Sequence, residues 1–143
     1  MNQQNHHPWR RFVALGDSFT EGIGDPDPQH PGMHRGWADR VAEELARTAD
    51  PEQDLAYANL AVRGKLLQQI RDDQLAAAVE LQPDLVSLCA GGNDIFRGGD
   101  PDLLATELDE MVAELADTGA TVVLFNGPDV RDHYPVLRGV GIA

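Results

Sequence analysis

A three-layer α/β sandwich on a parallel sheet is the fold class this sequence predicts. Two observations carry the prediction. Short apolar runs, each ending in a glycine-rich or polar turn, alternate four times with segments of helical periodicity. The connections between them have the length of right-handed crossovers. A third observation sets the scale: 143 residues with 42% apolar side chains and no internal repeat, low-complexity tract or linker. A single domain of this size buries about 68–70% of the surface its unfolded chain exposes.

In chain order, residues 1–10 are polar and read as a flexible lead-in, with the domain proper running over 11–143. The first strand is Arg11 to Leu15, four apolar residues running into Gly16-Asp17-Ser18-Phe19-Thr20-Glu21-Gly22. The stretch Gly24 to Gly36 is dense in Pro and Gly and reads as a loop. Trp37, Val41 and Leu45 stand at i, i+4, i+8, the stripe of a surface helix that Asp50-Pro51 ends. A second strand spans about Leu55 to Val62, and Arg63-Gly64 turns the chain into a helix over Lys65 to Leu81, with Leu67, Ile70, Leu75 and Val79 inward. The third strand, Leu85 to Ala90, ends in Gly91-Gly92-Asn93-Asp94. A helix over Asp102 to Asp117 follows, its stripe made by Leu104, Leu108, Met111, Val112 and Leu115, with Gly119 just past its end. The fourth strand is Thr121 to Phe125. The alternation predicts one more helix and strand, but residues 126–143 carry neither pattern, so the chain reads as C-terminally incomplete. An edge strand left open in this way is expected to pair with a second copy of the chain.

Composition excludes several classes of function. Eleven basic residues against 24 acidic ones give a net charge of −13, which argues against nucleic acid or an anionic membrane as partner. Lys65 is the one lysine, and no apolar stretch approaches the ~18–20 residues of a membrane span. Without an apolar signal segment at the amino terminus, a soluble cytoplasmic protein is the expectation. The single cysteine, Cys89, lies in an apolar run and reads as a small buried hydrophobe. His30 and His34 stand four apart across Pro31 and Gly32, so they read as loop residues and no metal site is expected.

The chemistry sits at the strand ends. In open parallel sheets the carboxyl ends of the strands lie along one edge, where ligands bind. Three of these ends carry Ser18, Gly64 and Asn93. A hydroxyl nucleophile with N–H donors beside it is an acyl-transfer arrangement. A glycine lets backbone N–H approach a substrate closely, and the Asn93 carboxamide and Ser18 N–H are further donors. No phosphate-cradling glycine loop and no Gly-x-Ser-x-Gly elbow is present. A phosphoacceptor domain of similar architecture would need clustered carboxylates after the first strand and a lysine near the end, and neither occurs.

Gly16-Asp17-Ser18, Asn59-Leu60-Ala61-Val62-Arg63-Gly64 and Gly91-Gly92-Asn93-Asp94, in this order, closely resemble the first three sequence blocks of the SGNH (GDSL-type) hydrolases, over about residues 11 to 128. The resemblance implies a flavodoxin-like fold with five parallel strands, and an esterase, lipase or carbohydrate deacetylase that needs no metal or other cofactor. It implies Ser18 as nucleophile, Gly64 and Asn93 as the oxyanion hole, and a small-molecule ester as substrate. It also implies a last block, Asp-x-x-His near the carboxyl end, supplying the general base. On this reading the sequence carries no Asp-x-x-His, a block whose usual place is after the fifth strand. A serine without its histidine loses several orders of magnitude in rate. Either the base lies in sequence beyond this chain or another histidine serves, with His133 between Asp132 and Tyr134, His30 and His34 as weaker choices. The alternative from another class is a catalytically dead domain of this type that binds or interacts without cleaving.

Overall fold

The computed structural model describes residues 6–125. Its elements are β1 (Arg11–Gly16), α1 (Ser18–Glu21), α2 (Trp37–Thr48), β2 (Ala56–Asn59), α3 (Leu67–Ile70), a π-helical turn (Arg71–Leu75), α4 (Ala76–Glu80), β3 (Leu85–Cys89), α5 (Gly92–Phe96), α6 (Pro101–Asp117) and β4 (Thr121–Leu124). The four strands form one parallel sheet in the order β2-β1-β3-β4. Helices cover both of its faces. The predicted sandwich is therefore present, and the region where a fifth strand was expected lies outside the described residues.

β1 is buried from Phe12 to Gly16 because it is central and covered on both sides. That is why it reads as a continuous apolar run rather than an alternating one. Val13 and Leu15 point to one face, against Leu67, Ile70, Val86, Leu88, Met111 and Leu115. Phe12 and Ala14 point to the other, against Ala38, Ala42 and Leu85. Burying each large aliphatic side chain here stabilises the fold by about 1.5–3 kcal/mol. The amino-terminal approach is also fixed. Trp9 packs on the α2 side of the core, and the Asp84 carboxylate accepts from the backbone N–H groups of Arg10 (2.7 Å) and Arg11 (2.9 Å).

The helices differ from the sequence reading in instructive ways. On α2 the buried residues are Ala38 and Ala42, flanked by Trp37 and Leu45, while Val41 is 39% exposed. Small side chains let this helix lie close to the sheet, so the true stripe is displaced from the one drawn by large apolar residues. Asp39 secures its start: Oδ2 accepts from Gly36 N–H (2.8 Å) and Oδ1 from the Tyr57 hydroxyl (2.9 Å), tying α2 to β2. Burial and this carboxylate together push the Tyr57 pKa up.

The helix predicted over 65–81 starts at Leu67 and contains a π turn. Its inward positions are Leu67, Ile70, Gln74, Leu75 and Ala78, and Val79 faces outward. Gln74 is a polar residue in a core position, only 3% exposed. The last helix, α6, packs as its periodicity predicts, with Met111 and Leu115 fully buried and Leu104, Leu108 and Val112 against the same cluster. Asp100 caps it, accepting from Asp102 N–H (2.9 Å), and Pro101 occupies the first turn. Among the described residues no helix is long and apolar enough to cross a membrane.

Candidate functional site

The carboxyl edge of the sheet brings the three sequence blocks together through side-chain hydrogen bonds. β1 stops at Gly16, and Asp17 caps the single helical turn α1, its Oδ1 accepting from Phe19 N–H at 3.1 Å. Ser18 opens that turn and is half-buried; among the described residues its hydroxyl makes no hydrogen bond. The abrupt stop needs glycine at position 16. A Cβ there would lie 2.6 Å from the Cys89 carbonyl oxygen and 2.7 Å from the Thr20 hydroxyl. Gln74 holds the same peptide from below. Its Oε1 accepts from Gly16 N–H (3.0 Å) and its Nε2 donates to Gly16 C=O (2.9 Å), so one buried amide satisfies both backbone groups.

The second block is tied to α1 twice. Asn59, at the end of β2, donates from Nδ2 to Thr20 C=O (2.8 Å) and accepts on Oδ1 from Ala61 N–H (3.1 Å). Glu21 accepts from the backbone N–H of Arg63 at 2.6 Å and from its guanidinium at 2.8 Å. Gly64 follows, exposed and at φ +76°, a left-handed conformation that favours glycine. A Cβ there would meet nothing within 4 Å, so the space over this peptide is open.

The third block closes the arrangement. α5, a helical turn where the sequence shows only a Gly-Gly-Asn-Asp turn, carries Asn93 and Asp94 side by side. Asn93 Nδ2 donates to Lys65 C=O (2.9 Å) and, more weakly, to Asp17 Oδ2 (3.4 Å). Asp94 Oδ2 accepts from Leu67 N–H (2.9 Å). Burial raises the Asp17 pKa, its cap bond to Phe19 opposes this, and the neighbouring Asp94 charge raises it further. Cys89, half-buried at the end of β3, has its thiol pKa pushed up by burial and by Asp17, so it stays protonated and a poor nucleophile.

The structure thus brings the neighbourhoods of Ser18, Gly64 and Asn93 to one edge. Among the described residues no histidine is hydrogen-bonded to Ser18. His133 lies outside the described residues. Within the loop after α1, His30 and Asp27 are hydrogen-bonded, Nδ1 to Oδ2 at 2.7 Å, and they carry an Asp-x-x-His spacing that the sequence reading passed over. That pair sits beside Arg35, which is paired with Glu43 on the body of α2, and no hydrogen bond links it to Ser18. His34 is exposed and near Glu21. Among the described residues no cluster of three or more His, Cys, Asp or Glu side chains is arranged to hold a metal.

Sequence reasoning missed Gln74, Glu21 and Asp94 as parts of this edge. Gln74 had a legible signal, since it stands four residues from Ile70 and from Ala78 on the buried stripe. Glu21 and Asp94 had none beyond their nearness to the blocks.

The family model described as GDSL-like lipase/acylhydrolase matches residues 14–141, nearly the whole chain and all three blocks. The chain belongs to this family. Among relatives, a Vibrio mimicus protein named arylesterase is 26% identical over 121 residues, which is 80% of this chain and 52% of that protein. The uncharacterized protein YpmR of Bacillus subtilis (strain 168) is 32% identical over 90 residues, 60% of this chain and 32% of its own length. Among solved structures, TesA superimposes with a TM-score of 0.71 at 25% identity, covering 89% of this chain and 66% of TesA. The chain therefore spans about half of the arylesterase and a third of YpmR. The α/β fold of this chain is shared with TesA.

Proposed function

We propose that this GDSL-like chain carries the nucleophile and oxyanion side of a serine ester hydrolase. The observation that supports this best is the hydrogen-bonded closure of the three blocks: Glu21 to Arg63, Asn93 to Lys65 and Asp17, and Asp94 to Leu67. It gathers one hydroxyl and several N–H donors at the sheet edge, and among the described residues a Cβ at Gly64 would meet nothing within 4 Å. In this reading Ser18 Oγ attacks an ester carbonyl. Its proton passes to a base, then to the departing alcohol, and water releases the acid from the acyl-enzyme. Ser18 N–H, Gly64 N–H and Asn93 Nδ2 receive the oxyanion. Such donors work at about 2.7–3.1 Å from the developing charge. The long contact from Asn93 to Asp17 is the one released as that charge forms. The arylesterase relative points to small carboxylic esters as the substrate class.

The test is hydrolysis of p-nitrophenyl acetate and butyrate by the full 143-residue chain, beside Ser18→Ala. Turnover that falls at least ~10³-fold in the variant is the expected result. Equal turnover by both proteins would remove Ser18 from the mechanism. His133→Ala is the next variant, because no described histidine bonds Ser18.

A further inference from the structure

We infer that Glu21 is a positioning residue, its grip on the backbone N–H and guanidinium of Arg63 setting where the Gly64 peptide stands relative to Ser18. The inference rests on the esterase reading for its catalytic purpose.

The geometry is specific. Gly64 is suspended in the segment between Val62 and Leu67, and the described hydrogen bonds fix that segment at only a few points. Val62 N–H donates to Gly16 C=O (3.2 Å) at one end, and Leu66 and Leu67 N–H are bonded to Gln69 and Asp94 at the other. Between them stand two ties. Upstream of Gly64, Glu21 Oε2 accepts from Arg63 N–H at 2.6 Å; downstream, Asn93 Nδ2 donates to Lys65 C=O at 2.9 Å. In the proposed mechanism Asn93 keeps this bond and turns its second N–H from Asp17 to the oxyanion, so the Glu21 tie is the one whose side chain has no other task.

Glu21 is also placed to transmit position. It closes the same four-residue turn that Ser18 opens, so nucleophile and Gly64 are referenced to one rigid unit. Three features distinguish this contact from an ordinary surface ion pair. It includes a backbone donor, it is formed by both carboxylate oxygens, and the Glu21 side chain is 24% exposed while Arg63 is 61% exposed. The conformational freedom of a glycine at φ +76° makes such a tie necessary, because Gly64 supplies no side chain of its own to anchor the loop. A misplacement of about 1 Å at a reacting geometry can cost on the order of 100-fold in rate.

The experiment uses the full chain with Glu21→Ala, Glu21→Gln and Arg63→Ala, read by amide hydrogen exchange and by Ser18-dependent p-nitrophenyl acetate hydrolysis. In Glu21→Ala the Arg63 and Gly64 amides are expected to exchange faster than in wild type. Its kcat should fall about 10–100-fold while KM stays within about twofold. Glu21→Gln, whose amide oxygen can still accept from Arg63 N–H, should recover part of that loss. Arg63→Ala, which keeps the backbone bond, should lose less than Glu21→Ala. Unchanged exchange at Arg63 and Gly64 in Glu21→Ala overturns the latch itself, whatever the activity. Faster exchange with unchanged kcat, or a loss confined to KM, overturns the positioning role. Absence of Ser18-dependent turnover in wild type overturns the reading that this chain cleaves esters by itself and, with it, the catalytic purpose of the latch within this chain, while the exchange rates still decide the latch.

Discussion

Gln74 and Glu21 hold the same edge of the sheet from two very different places. Gln74 reaches up from the helical layer into the core, where its neutral amide meets both polar groups of one buried peptide, Gly16. Glu21 works at the surface, where its charged carboxylate meets one backbone N–H and an exposed guanidinium. The two ties are similar in length and opposite in energetics. Water cannot replace a lost partner at Gly16, so the buried tie carries stability. Water can replace one at Arg63, so the surface tie contributes little to stability and its value lies in geometry. A site of this kind separates the side chains that keep the fold from those that set its aim.

Gln74→Leu should break the comparison most visibly. It leaves the Gly16 N–H buried without its Gln74 partner, at about 1–3 kcal/mol, while Gly16 C=O keeps its bond from Val62 N–H. A urea unfolding curve showing a loss of about 1–3 kcal/mol fits this account, and a loss under about 1 kcal/mol would show that the core tie is replaceable. Glu21→Gln should be far milder, within about 1 kcal/mol at neutral pH. It sharpens the contrast through pH. The side chain of Arg63 is the main reason the Glu21 pKa lies below its ordinary 4.5. A lowered folded-state pKa means that the contribution is present above the ordinary value and is lost as pH falls through the lowered one. The stability gap between wild type and Glu21→Gln should therefore narrow below pH 4.5, and a gap that persists there would contradict the ion-pair account. The smallest effect is expected at Val41→Gln on the exposed face of α2, within about 0.5 kcal/mol. A larger loss would restore Val41 to the core stripe where periodicity first put it.

How far the sequence could be read follows the same division. β1, β3 and α6 were legible because buried strands and an amphipathic helix write themselves in apolar residues, as at Phe12–Leu15 and Leu104–Leu115. The sheet edge was legible as a set of blocks, and Ser18, Gly64 and Asn93 lie past the carboxyl ends of β1, β2 and β3, with β2 ending at Asn59 rather than at the expected Val62. What hydropathy could not show was polar or small residues doing core work. Ala38 and Ala42 outrank Val41 because a close helix–sheet approach rewards small side chains. Gln74 lies on the inward stripe despite its amide because that amide bonds both the N–H and the C=O of Gly16 at the end of β1. The turn α5 escaped notice because its two glycines weaken any local helical signal. Glu21 and Asp94 act through backbone groups tens of residues away, and no local pattern encodes such a partnership.

The central place of β1 has a consequence for how the chain is made. Its sheet partners are β2 and β3, both of which come later in the chain. When Phe12–Gly16 leaves the ribosome, neither neighbour exists. The β3 partner of Gly16 is Cys89, synthesised roughly 70 residues later. At about 5–20 residues per second that is a wait on the order of 4–15 s. During that time this apolar run, with Ser18 just past its end, is an unpaired strand open to chaperones and to other nascent chains. Slowing translation between β2 and β3 should therefore lower the folded yield more than slowing it after β3, where β1 is already enclosed.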